Sequence, residues 1–133
     1  MPERQQALSP VLLSVQYDKL PPSGLSGNSR LHWAQKAELA EEWRSFFGWK
    51  AKEGWGRKAQ LKRATLRITW EAKDKRRRDM DNLLSATKPA IDGLVDAGVL
   101  QDDRADQVQL ELRYVPGAER DSTTIEVFGK EAP

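Results

Sequence analysis

"ATLRITWE", residues 64–71, alternates Ala64, Leu66, Ile68 and Trp70 with Thr65, Arg67, Thr69 and Glu71. A period of two puts the first set on one face of a β-strand and the second on the other, so this strand has a buried face and a polar face. Working outward, Val11, Leu13, Val15 and Tyr17 predict an earlier strand, Val108, Leu110, Leu112 and Tyr114 a later one, and Thr123, Ile125 and Val127 a last one. "VPGAERDS", residues 115–122, carries turn residues and predicts a hairpin between the last two strands. Trp33, Ala37, Ala40, Trp43 and Phe47 recur at helical spacing, as do Met80, Leu83, Leu84, Thr87, Ile91, Leu94 and Val95. The expected order is β-α-β-α-β-β. It describes an α+β (mixed α/β) fold with helices on one face of a mixed sheet.

The chain of 133 residues is expected to form one domain, 1–133, with a polar and flexible stretch at 1–9. It has no cysteine, which excludes a disulfide scaffold and a thiolate metal site and fits a reducing cytoplasm. No apolar run approaches the roughly 20 residues of a membrane span, and 1–9 is too polar for a signal peptide, so a soluble cytoplasmic protein is expected.

The net charge of +2 hides opposed blocks. Residues 1–49 hold five basic and five acidic side chains, residues 50–78 hold twelve and three, and residues 79–133 hold five and twelve. A basic block points to a polyanion such as nucleic acid, or else to a solvated face.

The sign changes inside "RRRDMDNLLSATKPAIDGLVDAGVLQDD", residues 76–103. On an extended backbone Asp79 and Asp81 would aim their carboxylates to the same side, where they repel unless a cation lies between them. Oxygen-only ligation suits Mg²⁺ or Mn²⁺, with Asp102 and Asp103 as further donors. Alternatively, Asp79 and Asp81 only cap a helix. Arg76, Arg77 and Arg78, helped by Lys73 and Lys75, would draw a phosphodiester toward the acids. Water activated by a divalent ion, with a lysine or the ion at the leaving oxygen, is the chemistry such a constellation would support, so a metal-dependent nuclease is expected. The alternative is a basic DNA-binding module without catalysis. A regulator acting through its acidic C-terminal half is a third reading.

"PPSGLSGNSR", residues 21–30, reads as a loop into the first helix. Asn28 or Ser29 could cap that helix, and Asn28 and Arg30 could hold a phosphate. His32 is expected to cap or to lie on the surface. Trp33, Trp43 and Trp49 read as core by their spacing, with base stacking as the other option.

The Arg-rich run, the D-x-D-N-L of residues 79–83, the distal Asp102-Asp103 pair and "LPPSGLSGNSRLHW" together resemble the RusA family of Holliday junction resolvases, common in phages and prophages, over nearly the whole chain. The resemblance implies a homodimer that binds four-way DNA junctions and cuts them with paired symmetric nicks using Mg²⁺ or Mn²⁺. It implies Asp79, Asp81 and Asp103 as catalytic aspartates, with Asp102 contributing. The family's lysine falls on Lys88 counted back from the distal pair, or on the position of Ser85 counted forward from Asp81. Pro89 predicts a kink or break at Lys88. A helix over 82–97 would be roughly 24 Å long. Asp103 could then rejoin Asp81 of its own chain or complete the partner's cluster.

Overall fold

The computed structural model describes residues 10–26, 30 and 32–129. Residues 1–9, Asn28 and Ser29 lie outside the described residues. The elements are β1 Val11–Tyr17, a short 3-10 turn Ser23–Leu25, α1 Trp33–Trp55, β2 Ala64–Ala72, α2 Met80–Asp96, β3 Val108–Pro116 and β4 Ser122–Gly129.

The fold is α+β: two helices pack on one face of a four-stranded mixed sheet of order β1-β4-β2-β3. β2 is central and follows the alternation of its sequence, with Leu66, Ile68 and Trp70 fully buried beneath the helices. Its other face is polar, and there Arg67 pairs with Glu111 of β3 at 2.9 Å and Glu126 of β4 at 3.6 Å. Trp70 is buried, yet its indole N–H is satisfied: it donates to Thr87 Oγ1 of α2 at 3.0 Å, and that hydroxyl donates to Leu83 O.

The expected hairpin between the last strands is not formed. β3 runs parallel to β2 on one side, and β4 runs antiparallel to β2 on the other, closing against β1. The turn residues instead carry the chain across the end of β2, where Gly117 N–H donates to Asp74 O and Ala118 N–H to Ala72 O. A positive φ of 69° at Gly117 suits this crossing. β3 is left as an edge strand with Leu110 and Val115 exposed.

The helices meet backbone to backbone. A Cβ on Gly93 would stand 2.5 Å from Arg44 O and 2.7 Å from Gly48 N, so α2 lies against α1 only because that position has no side chain. Trp43 and Phe47 of α1 are fully buried, as expected, but Trp33 is 75% exposed and Trp49 is 59% exposed. The buried stripe instead continues through Ala51 to Trp55, because α1 reaches the sheet with its C-terminal half. His32 caps α1, its Nδ1 accepting from Ala34 N–H at 3.1 Å.

Candidate functional site

The start of α2 separates the two aspartates that the sequence places together. Asp79 keeps an extended backbone and is the N-cap, its Oδ1 accepting from Asp81 N–H at 3.1 Å, whereas Asp81 already lies in the first helical turn. The expectation of two carboxylates on one side of an extended segment therefore fails. Successive helical residues turn by about 100°, so a spacing of two that is in phase on a strand is out of phase on a helix. The helix begins at Met80, not Asn82, because Asp79 supplies the acceptor that the first turn needs.

Asp81 opens into a groove of 570 Å³ between α2 and the edge strand. Its polar end holds Asp81, Ser85, Lys88 and Asp103, and its apolar wall includes Leu84, Ile91 and Leu110. Residues 81, 85 and 88 stand four and three apart, one stripe of a helix, so Ser85 and Lys88 share the groove. Lys88 Nζ lies 2.6 Å from Asp103 Oδ2 and 2.8 Å from Asp92 Oδ1. Burial works against the charge on Lys88, but its hydrogen bonds to Asp103 and Asp92 outweigh that and raise its pKa. The same ammonium holds the Asp103 carboxyl below its usual value, against an opposing effect of burial.

Pro89 does not break α2, which runs continuously from Met80 to Asp96. The missing N–H would have served the carbonyl of Ser85, an exposed residue where water can replace it. The helix ends in a Schellman turn at Gly98, φ 81°, with Val99 N–H donating to Leu94 O and Gly98 N–H to Val95 O. Val99 and Leu100 then bury against the core and direct the chain back along α2. By this route the chain brings its own Asp103 into the groove of its own Asp81.

Asp102 is directed differently: its Oδ1 accepts from Asp103 N–H at 2.7 Å and steadies that loop. Among the described residues no three His, Cys, Asp or Glu side chains form a group able to hold a metal ion. The donors expected for Mg²⁺ or Mn²⁺ are thus dispersed: Asp81 and Asp103 line one groove, Asp102 bonds to the backbone of Asp103, and Asp79 lines a different groove. Two carboxylates in a groove whose described lining holds no sulfur or imidazole fit a hard cation that retains water and takes substrate phosphate.

A second groove, of 510 Å³, lies on the other side of the α2 N-terminus. It is lined by Pro21, Pro22 and Ser26 from the 3-10 region and by Arg76, Arg77, Asp79 and Asn82. Ser26 Oγ donates to Asn82 Oδ1 at 3.4 Å, joining the two walls. Arg76, Arg77, Lys73, Lys75 and Arg30 are exposed.

Arg78 lines this groove too, but its guanidinium is largely buried and engaged: it forms a two-pronged pair with Asp74 at 2.8 and 3.1 Å and donates to Tyr114 Oη at 2.6 Å. Tyr114 O–H in turn donates to Arg76 O, so this cluster fastens the loop before α2 to β3.

Three participants escaped the sequence reading: Asp74, Asp92 and Tyr114. The first two carried a signal, since Asp74 to Arg78 and Lys88 to Asp92 are opposite charges four apart. Tyr114 carried none, because its partner is 36 residues away.

Compared with known proteins, the chain matches no family model and no curated sequence. Among the described residues, no helix is long and apolar enough to cross a membrane.

Proposed function

We propose that this chain is a metal-dependent, structure-selective DNA endonuclease of the RusA type, which resolves four-way junctions by paired nicks. The observation that carries the reading is the meeting of Asp81, Lys88 and Asp103 in one groove while Arg76 and Arg77 stand exposed beside the N-terminus of the same helix. A phosphodiester drawn by the arginines would be delivered beside hard oxygen donors and an ammonium.

Each side chain has a task in this scheme. Asp81 and Asp103 would hold Mg²⁺ or Mn²⁺, with Asp102 beside Asp103 and Asp79, once released from its capping bond, as further donors; the ion, when bound, supplies activated water and neutralises charge at phosphorus. Lys88 holds Asp103 in place and has an N–H to offer the oxygen that leaves. Arg76 and Arg77, with Lys73, Lys75 and Arg30, orient the phosphate backbone, whose contacts are ionic and independent of sequence. Asn28 is proposed for the same role. A homodimer with two-fold symmetry would present two grooves and so cut two strands symmetrically. The setting would be the cytoplasm of a bacterium or of a phage-infected cell.

A non-catalytic DNA-binding module is the second reading, favoured by two facts: Asp79 is engaged as a cap, and Asp103 is paired with Lys88 at 2.6 Å. Incubating purified protein with a mobile four-way junction, a fork and a linear duplex, with and without Mg²⁺, separates the two. The endonuclease reading requires Mg²⁺-dependent nicks in the junction. Binding of all three DNAs with no nick, with or without Mg²⁺, would establish the module instead.

A further inference from the structure

The proposed endonuclease uses only the end of the basic block of residues 50–78. Between α1 and β2 lie Arg57, Lys58, Lys62 and Arg63, with no acidic residue among residues 57–63. All four are exposed. Lys58 rests on the Trp55 ring at 5.0 Å, and among the described residues none of the four has an acidic partner. Other basic side chains of the chain are engaged: Arg44 with Asp96, Arg67 with Glu111, Arg78 with Asp74 and Lys88 with Asp103.

This segment is also fixed in place. α1 ends at Gly56, whose φ of 63° turns the chain. Leu61 then forms a parallel bridge with Leu100: Leu61 N–H donates to Val99 O at 2.9 Å, and Gln101 N–H to Leu61 O at 3.0 Å. Ala64 N–H donates to Gln107 O at 3.0 Å. The basic segment is therefore strapped to the loop that delivers Asp103. Arg63 shares a cleft with Ala105 and Asp106, and Ala105 also lines the groove of Asp81 and Asp103.

We infer that residues 57–63 form a second contact surface for the phosphate backbone, engaging the same nucleic acid as Arg76 and Arg77, with the Asp81–Asp103 groove between them. The inference rests on the proposed DNA-binding function and deepens it. The two basic sites stand beyond opposite ends of β2, whose nine residues make eight steps of about 3.3 Å, or about 26 Å. At 3.4 Å per base pair that span is roughly eight base pairs. A duplex long enough to touch both sites would be held across the groove, whereas contact at one site alone would leave it free to swing away.

The test is DNA binding in the presence of a chelator, which does not depend on cleavage. Labelled duplexes shorter and longer than about eight base pairs are titrated across a salt series, with wild type, with an Arg57→Gln/Lys58→Gln/Lys62→Gln/Arg63→Gln variant, and with a milder Arg57→Gln/Lys62→Gln variant in case the first fails to fold. Each phosphate contact contributes about 0.9 to the slope of log affinity against log salt, so up to about 3.6 should vanish in the fourfold variant and about 1.8 in the double. Affinity for the long duplex should fall roughly tenfold or more at low salt. The wild-type preference for the longer duplex should shrink with it. Variants that melt like wild type and keep its affinity and salt slope would make 57–63 a solvated surface and overturn the inference while leaving the functional reading intact. Wild type that binds no duplex even at low salt would overturn both.

Discussion

Asp79 and Asp81 are separated by one residue and serve opposite sides of α2. The Asp79 side is a structural junction: a helix cap, the Asp74–Arg78–Tyr114 cluster and two exposed arginines. The Asp81 side is a groove where carboxylates meet an ammonium against an apolar wall. Charge on the first side is mostly committed to holding the fold, while charge on the second is gathered where a ligand can reach it. A cluster of opposite charges in sequence is therefore two devices sharing one helical turn.

The comparison fails first if α2 itself cannot seat. Gly93→Ala forces a Cβ into the backbone of α1 and should cost about 3 kcal/mol or more, lowering the melting temperature by about 10 °C and impairing both sides alike. A variant that melts with wild type in a circular-dichroism scan would show that the crossing is looser than its contacts imply.

Next come the two arginine roles. Arg78→Ala removes charge-assisted bonds to Asp74 and Tyr114 from a largely buried site and should destabilise by about 1.5–3 kcal/mol in urea denaturation. Arg77→Ala should leave stability within about 0.5 kcal/mol and weaken DNA binding instead. Equal stability losses would erase the distinction between the strut and the exposed contact.

The aspartates should divide in the same way. Asp79→Ala should cost about 1 kcal/mol and Asp79→Asn almost nothing, because asparagine caps nearly as well. Asp81→Ala, with no cap to lose, should fall within about 0.5 kcal/mol of wild type. Matching losses for the two alanine variants would contradict the cap assignment.

The smallest effect is in acid. Arg78, then the Arg76 N–H, hold the Asp74 carboxyl down at about 2. Its folded-state pKa is depressed, so the stability it lends is complete above the ordinary carboxylate range and is lost as pH falls toward 2. Wild type and Asp74→Asn should differ slightly in melting temperature near pH 6 and converge toward pH 2. A gap that stays constant with pH would mean the pair is not the source.

What the sequence disclosed depended on whether the relevant physics is local. β2 was legible because alternation over "ATLRITWE" reports two faces directly, and the one-sided packing of helices followed from it. The strand pairing of β4 was not, since turn residues announce a reversal without naming the neighbour, and here the chain crosses β2 before pairing. Gly93 and Gly48 gave no signal because a close helix crossing is a property of two segments. Trp33 and Trp49 have core chemistry, but Trp33 stands at the start of α1, ahead of the buried stripe, and Trp49, two residues from both Phe47 and Ala51, falls on the opposite side of the helix from that stripe. Asp103 could be nominated as an oxygen donor from its charge and Lys88 only from the family resemblance; that they touch depended on the turn at Gly98.

The most direct measurement is junction cleavage by purified Asp81→Asn in Mg²⁺, alongside its DNA affinity without metal. The substitution keeps size and a hydrogen-bonding oxygen but removes the charge that a hard cation needs. Cleavage should be lost while affinity stays equal or rises, because an anion near the arginines has gone. Nicking at the wild-type rate would contradict the assignment of this groove as the catalytic site.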